Sequence, residues 1–280
     1  MTEYQLYPDV RLISGSVCSF SEHGKFAYEK EMLEIGCCSE GRCEYREGKH
    51  YYYLSPGHII VRRRQAGDSS PFFPTGKFKG AVLMIDNEPF SESFSDLLEG
   101  SQTAPQNIIR ELCPDEPFII DDSIRAAQVF CEICCGISSK PYGWLRLKTA
   151  ELLIELSVLS KDDSCAGENR CLSDQAKLAE DVCRFACANL NEHYTIQQLA
   201  KMKNVNITKL KACFKRVYGC SIYSYVRKQK MYAAADLLRN TDRTVLDIAC
   251  ECGFDNGSKF AKAFREVMGE VPSVYRRAYR

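Results

Sequence analysis

The chain has 280 residues, 45% hydrophobic content, 37 basic and 37 acidic side chains, and a formal net charge of zero. This composition excludes disordered, collagenous and coiled-coil arrays, and the length suits two domains that each bury a core. No apolar run of about 18 residues occurs, and MTEYQLYPDV, with early Glu3 and Asp9, does not read as a signal peptide, so neither a transmembrane helix nor export is expected.

Sixteen cysteines in an unexported chain are expected as reduced, mostly buried thiols in the cytoplasm. Up to about residue 95 the pattern is one of short strands, at 12–20, 26–38, 42–45, 51–54, 58–62 and 78–85, separated by turns such as SEHG, SEG, REGK and SPG. That spacing predicts an antiparallel sandwich or jelly roll with room for a small ligand. The stretch MLEIGCCSEGRCEYREGKHYYYLSPGHIIV resembles the cupin-like sensory domains that precede the DNA-binding part of many bacterial regulators.

Histidines are few: His23, His50, His58 and His193. A three-histidine metal site would need all of the first three, so packed or surface histidines are expected and no cofactor is assigned. The alternative, a cupin-type metal enzyme fused to a DNA-binding tail, requires His50, His58 and Glu34 or Glu44 to converge. In the run Arg62, Arg63, Arg64 a side chain could face inward toward an anion, but a solvated, aggregation-resistant strand edge is the favoured reading.

Between residues 103 and 160 the pattern becomes helical, broken at CPDEP and SSKPYG. Leu145, Thr149, Leu152, Leu156 and Leu159 recur at spacings of four and three, the stripe of a coiled-coil seam or of a helix packed on its own domain. Cys131, Cys134 and Cys135 share a helix face, which leaves open a cysteine-based redox or metal sensor beside simple core filling. Residues 161–173, small and polar without period, read as a linker.

Charge divides sharply after this linker. Residues 174–280 carry 19 Lys and Arg against 11 Asp and Glu, whereas residues 1–173 carry 18 against 26. A cationic module on an anionic body points first to a nucleic acid partner. Within that module an amphipathic helix from Ala176 to Leu190, with Val182, Phe185 and Ala186 on its apolar side, precedes a capping box of Thr195 and Gln198. Asn206 then caps ITKLKACFKRVYG, ending at Gly219. This is a helix-turn-helix locked by Leu199, Leu210 and Phe214. The arrangement returns about 50 residues on: Thr244 and Asp247, a break at Gly253, a cap at Asn256 or Asp255, then GSKFAKAFREVMG. Ile248, Ala249, Phe260 and Phe264 repeat the positions of Leu199, Ala200, Leu210 and Phe214. The run from Ser221 to about Arg239 has neither Pro nor Gly and predicts a rigid spacer of roughly 28 Å.

These residues resemble the AraC/XylS family of transcriptional regulators. The match comprises Leu199-Ala200, Phe214-Lys215, Gly219, Ala234, Leu237-Leu238, Ile248-Ala249, Gly253-Phe254, Phe260, Phe264-Arg265, Gly269, Pro272 and Tyr275-Arg276. Lys230 departs from it, standing where the family usually has arginine, and Gly257 and Lys259 stand where polar and aromatic residues are common.

The fold class expected is therefore α+β in two domains, a jelly-roll or cupin-like barrel with helices followed by an all-α domain of two helix-turn-helix units on one long helix. The domains are a sensing barrel at 1–102, a helical region at 103–160, a linker at 161–173 and the DNA-binding domain at 174–280. Helical spacing assigns base contacts to Thr208, Lys211, Ala212, Gly257, Ser258, Lys259 and Lys262, and phosphate contacts to Lys215, Arg216, Asn256 and Arg265. Two recognition helices on a spacer shorter than the roughly 34 Å duplex turn imply some DNA bending. The resemblance further implies a non-enzymatic regulator of promoter DNA, a small-molecule effector, RNA polymerase contact, and a homodimer through Leu145, Leu152, Leu156 and Leu159, with no membrane association.

Overall fold

Alternating side chains build an antiparallel six-stranded sheet in the N-terminal part of the protein, as seen in a computed structural model that describes residues 2–17, 31–65, 68, 71–76, 78–87, 94, 98, 103–192 and 194–279. Its strands lie in the order β1 (Thr2–Tyr7), β2 (Val10–Val17), β7 (Phe78–Asp86), β3 (Met32–Gly41), β6 (Ile59–Arg64) and β8 (Phe118–Ile120). A second sheet holds β4 (Cys43–Glu47), β5 (His50–Leu54) and β9 (Arg170–Leu172). The chain divides into two compact units, Met1–Leu172 and Ser173–Arg280.

Strand β3 is buried on both faces from Met32 to Cys38, which explains why its residues there, apart from Glu34, are apolar or small rather than alternating. Ile35 stands opposite Val61 on β6 and Leu83 on β7. Leu33, Ile35 and Cys37 enter the large core with Ile85, Phe130, Leu152 and Leu156, while Cys38 packs with Tyr45, Tyr52 and Ile60. Each of these buried aliphatic side chains contributes on the order of 1.5–3 kcal/mol by leaving water.

Four local readings differ from expectation. Strands β1, β8 and β9 were unforeseen, β8 and β9 being three residues long and distant in sequence from their partners, while residues 18–30, with His23, lie outside the described residues. The arginine run is not a solvated edge: β6 sits between β3 and β8, and Arg62 and Arg64 are buried. Arg62 Nη2 donates to Glu34 Oε2 at 2.9 Å and Nη1 to Glu47 Oε1 at 2.5 Å, while Arg64 lies 3.7 Å from Glu34. The inward charge is thus met by internal carboxylates.

The segment expected as a linker is structured. It forms a 3₁₀ turn (Lys161–Asp163), a short helix and strand β9, which pairs Cys171 with Tyr51 and supplies β5 with a ladder partner. The helical region holds α1 (Pro105–Leu112), α2 (Arg125–Gly136), α3 (Tyr142–Ser157) and, within that segment, α4 (Ala166–Asn169). On α3, Leu145, Leu152 and Leu156 are buried in the unit's own core and Leu159 packs against it, so this stripe is spent within the monomer and does not present a dimer seam. The outward face of that helix instead carries Leu147, Ile154 and Val158.

The second unit is all helical: α5 (Ser173–Ala188), α6 (Ile196–Met202), α7 (Ile207–Tyr218), α8 (Ile222–Asn240), α9 (Val245–Glu251), α10 (Gly257–Met268) and α11 (Pro272–Tyr279). Among the described residues no helix is long and apolar enough to cross a membrane.

Candidate nucleic-acid interface

Two local folding signals repeat and position two exposed helices. In the first copy, Thr195 N donates to Gln198 Oε1 at 2.8 Å and Thr195 Oγ1 accepts from Gln198 N at 3.3 Å, closing a capping box on α6. The turn follows with Asn204 at φ +51° and Val205 N donating to Ala200 O at 3.0 Å. Asn206 Oδ1 then accepts from Lys209 N at 2.6 Å to start α7, which Gly219 ends at φ +74°. In the second copy Thr244 and Asp247 form the box on α9, Phe254 N donates to Ala249 O at 2.9 Å, and Asn256, not Asp255, caps α10 from Oδ1.

The two turns differ at one position. Gly253, at φ +74°, corresponds to Asn204, but a Cβ on Gly253 would lie 3.0 Å from both Asn191 O and Lys230 Nζ. Asparagine tolerates the left-handed region, whereas crowding makes glycine necessary in the second turn. Gly253→Ala is therefore expected to lower stability by about 1–3 kcal/mol, and Asn204→Gly to change it by less than about 0.5 kcal/mol. Thermal melts of the two variants compare them directly; equal melting of Gly253→Ala and the parent would contradict the crowding.

The apolar sides of both recognition helices face inward. Leu210, Phe214 and Val217 are fully buried on α7, and Phe260 and Phe264 on α10. Opposite them, Thr208, Lys211, Ala212 and Lys215 are exposed on α7, with Arg216 half-buried. On the second copy Asn256, Ser258, Lys259, Lys262 and Arg265 are exposed and Gly257 is half-buried. Lys211, Lys215, Asn256 and Lys259 border one cleft of about 940 Å³, which Thr208, Ala212, Arg216, Gly257, Ser258, Lys262 and Arg265 do not line. The same cleft is lined by Tyr223 and Arg227 from the first turns of α8, residues that the helical pattern alone did not single out. Their only sequence signal is their place just after the Ser221 cap.

Lys230 occupies the middle of α8 and is 5% exposed. Burial pulls its ammonium below the usual lysine range, and its Nζ lies 5.9 Å from the Phe254 ring centroid, over its face. A cation placed among the turn residues of the second copy thus ties that turn to the spacer helix.

The cysteine and histidine candidates fall in the first unit. The thiols of Cys131 and Cys134 meet Cys37 of β3, and the hydrogen bond from Cys37 brings Cys131 down to about 7, while Cys135 is exposed. Among the described residues the metal-enzyme constellation does not assemble: Glu34 is engaged by Arg62, Glu44 is buried on β4, and His50 of β5 stands opposite Leu172 of β9 and sets its ring edge to Tyr52. His193 lies outside the described residues.

Residues 199–278 match the family model described as a helix-turn-helix domain. The chain is 24% identical over 246 residues to the virulence regulon transcriptional activator VirF of Yersinia enterocolitica, covering 85% of this chain and 86% of that protein. It is 30% identical over 105 residues to the right origin-binding protein of Escherichia coli, covering 38% of this chain and 36% of that relative's length. Among solved structures, ToxT from Vibrio cholerae is similar at 12% identity with a TM-score of 0.34, over 97% of this chain and 98% of that one.

Proposed function

We propose that the protein is a sequence-specific transcriptional regulator of the AraC type that binds promoter DNA through α7 and α10 and performs no covalent chemistry, a reading supported by the match of residues 199–278 to a helix-turn-helix family model. The observation that carries this reading is the pair of helices that each start at an asparagine cap and end at a left-handed glycine, each burying its aromatic side and turning lysines outward. Alignment with a transcriptional activator along most of both chains supports it.

In this reading α7 and α10 enter successive major grooves on one side of the duplex, with α8 as the spacer. Thr208, Lys211, Ala212, Gly257, Ser258, Lys259 and Lys262 face base edges, and Lys215, Arg216, Asn256 and Arg265 face phosphates. The first unit, whose stacked antiparallel sheets suit a cupin-like sensor, takes a small-molecule effector and shifts the population of DNA-competent molecules. Residues 1–102 supply the sensing barrel, and 103–160 the helices beside it. Homodimerisation belongs to the same reading and falls on the outward apolar positions Leu147, Ile154 and Val158. So do a cytoplasmic location and contact with RNA polymerase.

The test is a binding titration of the full chain, at several salt concentrations, on an operator selected from a random duplex pool. Lys211→Ala and Lys262→Ala are expected to weaken the selected operator by about 1–3 kcal/mol while sparing unrelated duplex. Lys215→Ala should weaken both and flatten the logarithmic salt slope by about 0.9. Equal affinity of all three variants and the parent for the operator would rule out this docking.

A further inference from the structure

Three donor groups of different chemistry converge in the first unit. His58 lies in the turn between β5 and β6, Asp121 follows β8, and Cys165 stands between the 3₁₀ turn and α4. One ligand atom from each lies within 4.8 Å of the other two, and all three residues are half-buried. Bonds to zinc of roughly 2.3 Å from sulfur and 2.0 Å from nitrogen set neighbouring donors about 3.5 Å apart, so an inward shift of about an ångström closes the set.

The surrounding groups are arranged as an outer shell. Asp121 Oδ1 accepts from Ser123 N at 2.9 Å and from Ser123 Oγ at 2.5 Å, which orients the carboxylate and leaves Oδ2 for another partner. Asn169 Nδ2 donates to Cys165 Sγ at 3.4 Å, a bond that strengthens when the sulfur becomes a thiolate. Around His58 lie the carboxylates of Asp121, Asp122 and Glu168 and the guanidinium of Arg42. That balance favours a positive ligand.

We propose that His58, Asp121 and Cys165 bind a zinc-class divalent cation. Thiolate, imidazole and carboxylate together select this class over magnesium or calcium, which take oxygen ligands only. Water or the neighbouring Asp122 carboxylate completes the tetrahedron. On binding, the Cys165 thiol releases its proton to solvent as the sulfur–metal bond forms. Ser55 N donates to His58 Nδ1 at 3.3 Å, which places the ring proton on Nε2; ligation through Nε2 moves that proton to Nδ1 and gives up this long bond. The cation would join two turns of the sheet to the segment carrying α4 and β9, the last part of this unit before Ser173. It would make that segment's order depend on metal.

The experiment titrates the full chain, reduced and metal-free, with Zn²⁺ against a chromophoric chelator, and with Co²⁺ to read thiolate-to-cobalt absorption. One equivalent is expected, with a cobalt spectrum of sulfur ligation. Cys165→Ser and His58→Gln should abolish both signals, and Asn169→Ala should weaken affinity by about 10- to 100-fold. A Cys131→Ser, Cys134→Ser variant should bind as the parent does. Asp121→Asn, which retains an acceptor for Ser123, gives the reading if another ligand variant loses its circular dichroism. Absence of stoichiometric binding, or binding that survives Cys165→Ser or disappears with Cys131 and Cys134, overturns the assignment.

Discussion

Glu34→Ala should cost the first unit about 3–5 kcal/mol of stability. The carboxylate is 2% exposed and faces Arg62, also 2% exposed, and Arg64, fully buried. Burial pushes the Glu34 carboxyl up, and the Arg62 guanidinium pulls it part of the way back. The pair therefore adds little net stability over an apolar core, yet removing one member leaves two guanidinium groups in a low-dielectric interior beside the partly exposed Glu47 and Asp68. Glu34→Gln, which keeps a hydrogen-bond acceptor but not the charge, should fall between the parent and Glu34→Ala. Urea denaturation followed by tyrosine and tryptophan fluorescence measures this, and a change below about 1 kcal/mol for Glu34→Ala would show that the arginines have water or another anion as partner.

Phe214→Ala and Phe260→Ala should each remove about 3–5 kcal/mol from the second unit and take DNA affinity with it. Both rings are fully buried and each organises one copy of the motif. Phe214 lies 4.5 Å from Tyr218 and 5.8 Å from Tyr225 of α8, and Phe260 lies 5.6 Å from Phe254 and 5.8 Å from Phe264. Truncation opens a cavity between a recognition helix and its support, so the helix loses its fixed angle as well as its stability. Lys262→Ala provides the contrast, since an exposed side chain should alter affinity with almost no change in melting. Melting and duplex anisotropy measured on the same samples distinguish the two classes. A Phe260→Ala variant that melts like the parent yet fails to bind would place that ring at the DNA rather than in the core.

The helix-turn-helix copies were legible because every signal for them is local. Thr195 with Gln198, Asn206, Thr244 with Asp247, and Asn256 act on backbone groups within three residues, and Gly219 and Gly269 end helices one residue beyond them. The outward lysines of α7 and α10 follow from 3.6-residue periodicity once Phe214 and Phe260 are set inward. Tyr223 and Arg227 were missed since they join the cleft through the packing of α8, which no periodicity in α8 itself encodes.

In the first unit, by contrast, the same residues admitted two readings that only neighbours distant in sequence could decide. The arginines of β6 look like an edge until β8, more than 50 residues later, covers that side. The leucine stripe of α3 suits a partner helix equally well, and the core of the same unit takes it. His58, Asp121 and Cys165 share no motif, because their spacing in sequence exceeds 40 residues at each step.

The amino-acid sequence by itself determined the two caps, the two turns, the spacer helix and the cationic charge of the last hundred residues, because capping, periodicity and charge act over one or two turns of chain. Tertiary structure decided which strand is central, which leucines are internal, which arginines find carboxylates and which donors meet at His58. Those outcomes depend on the burial of surfaces brought together across long loops, and a buried charge or apolar stripe takes whichever partner the completed fold places against it.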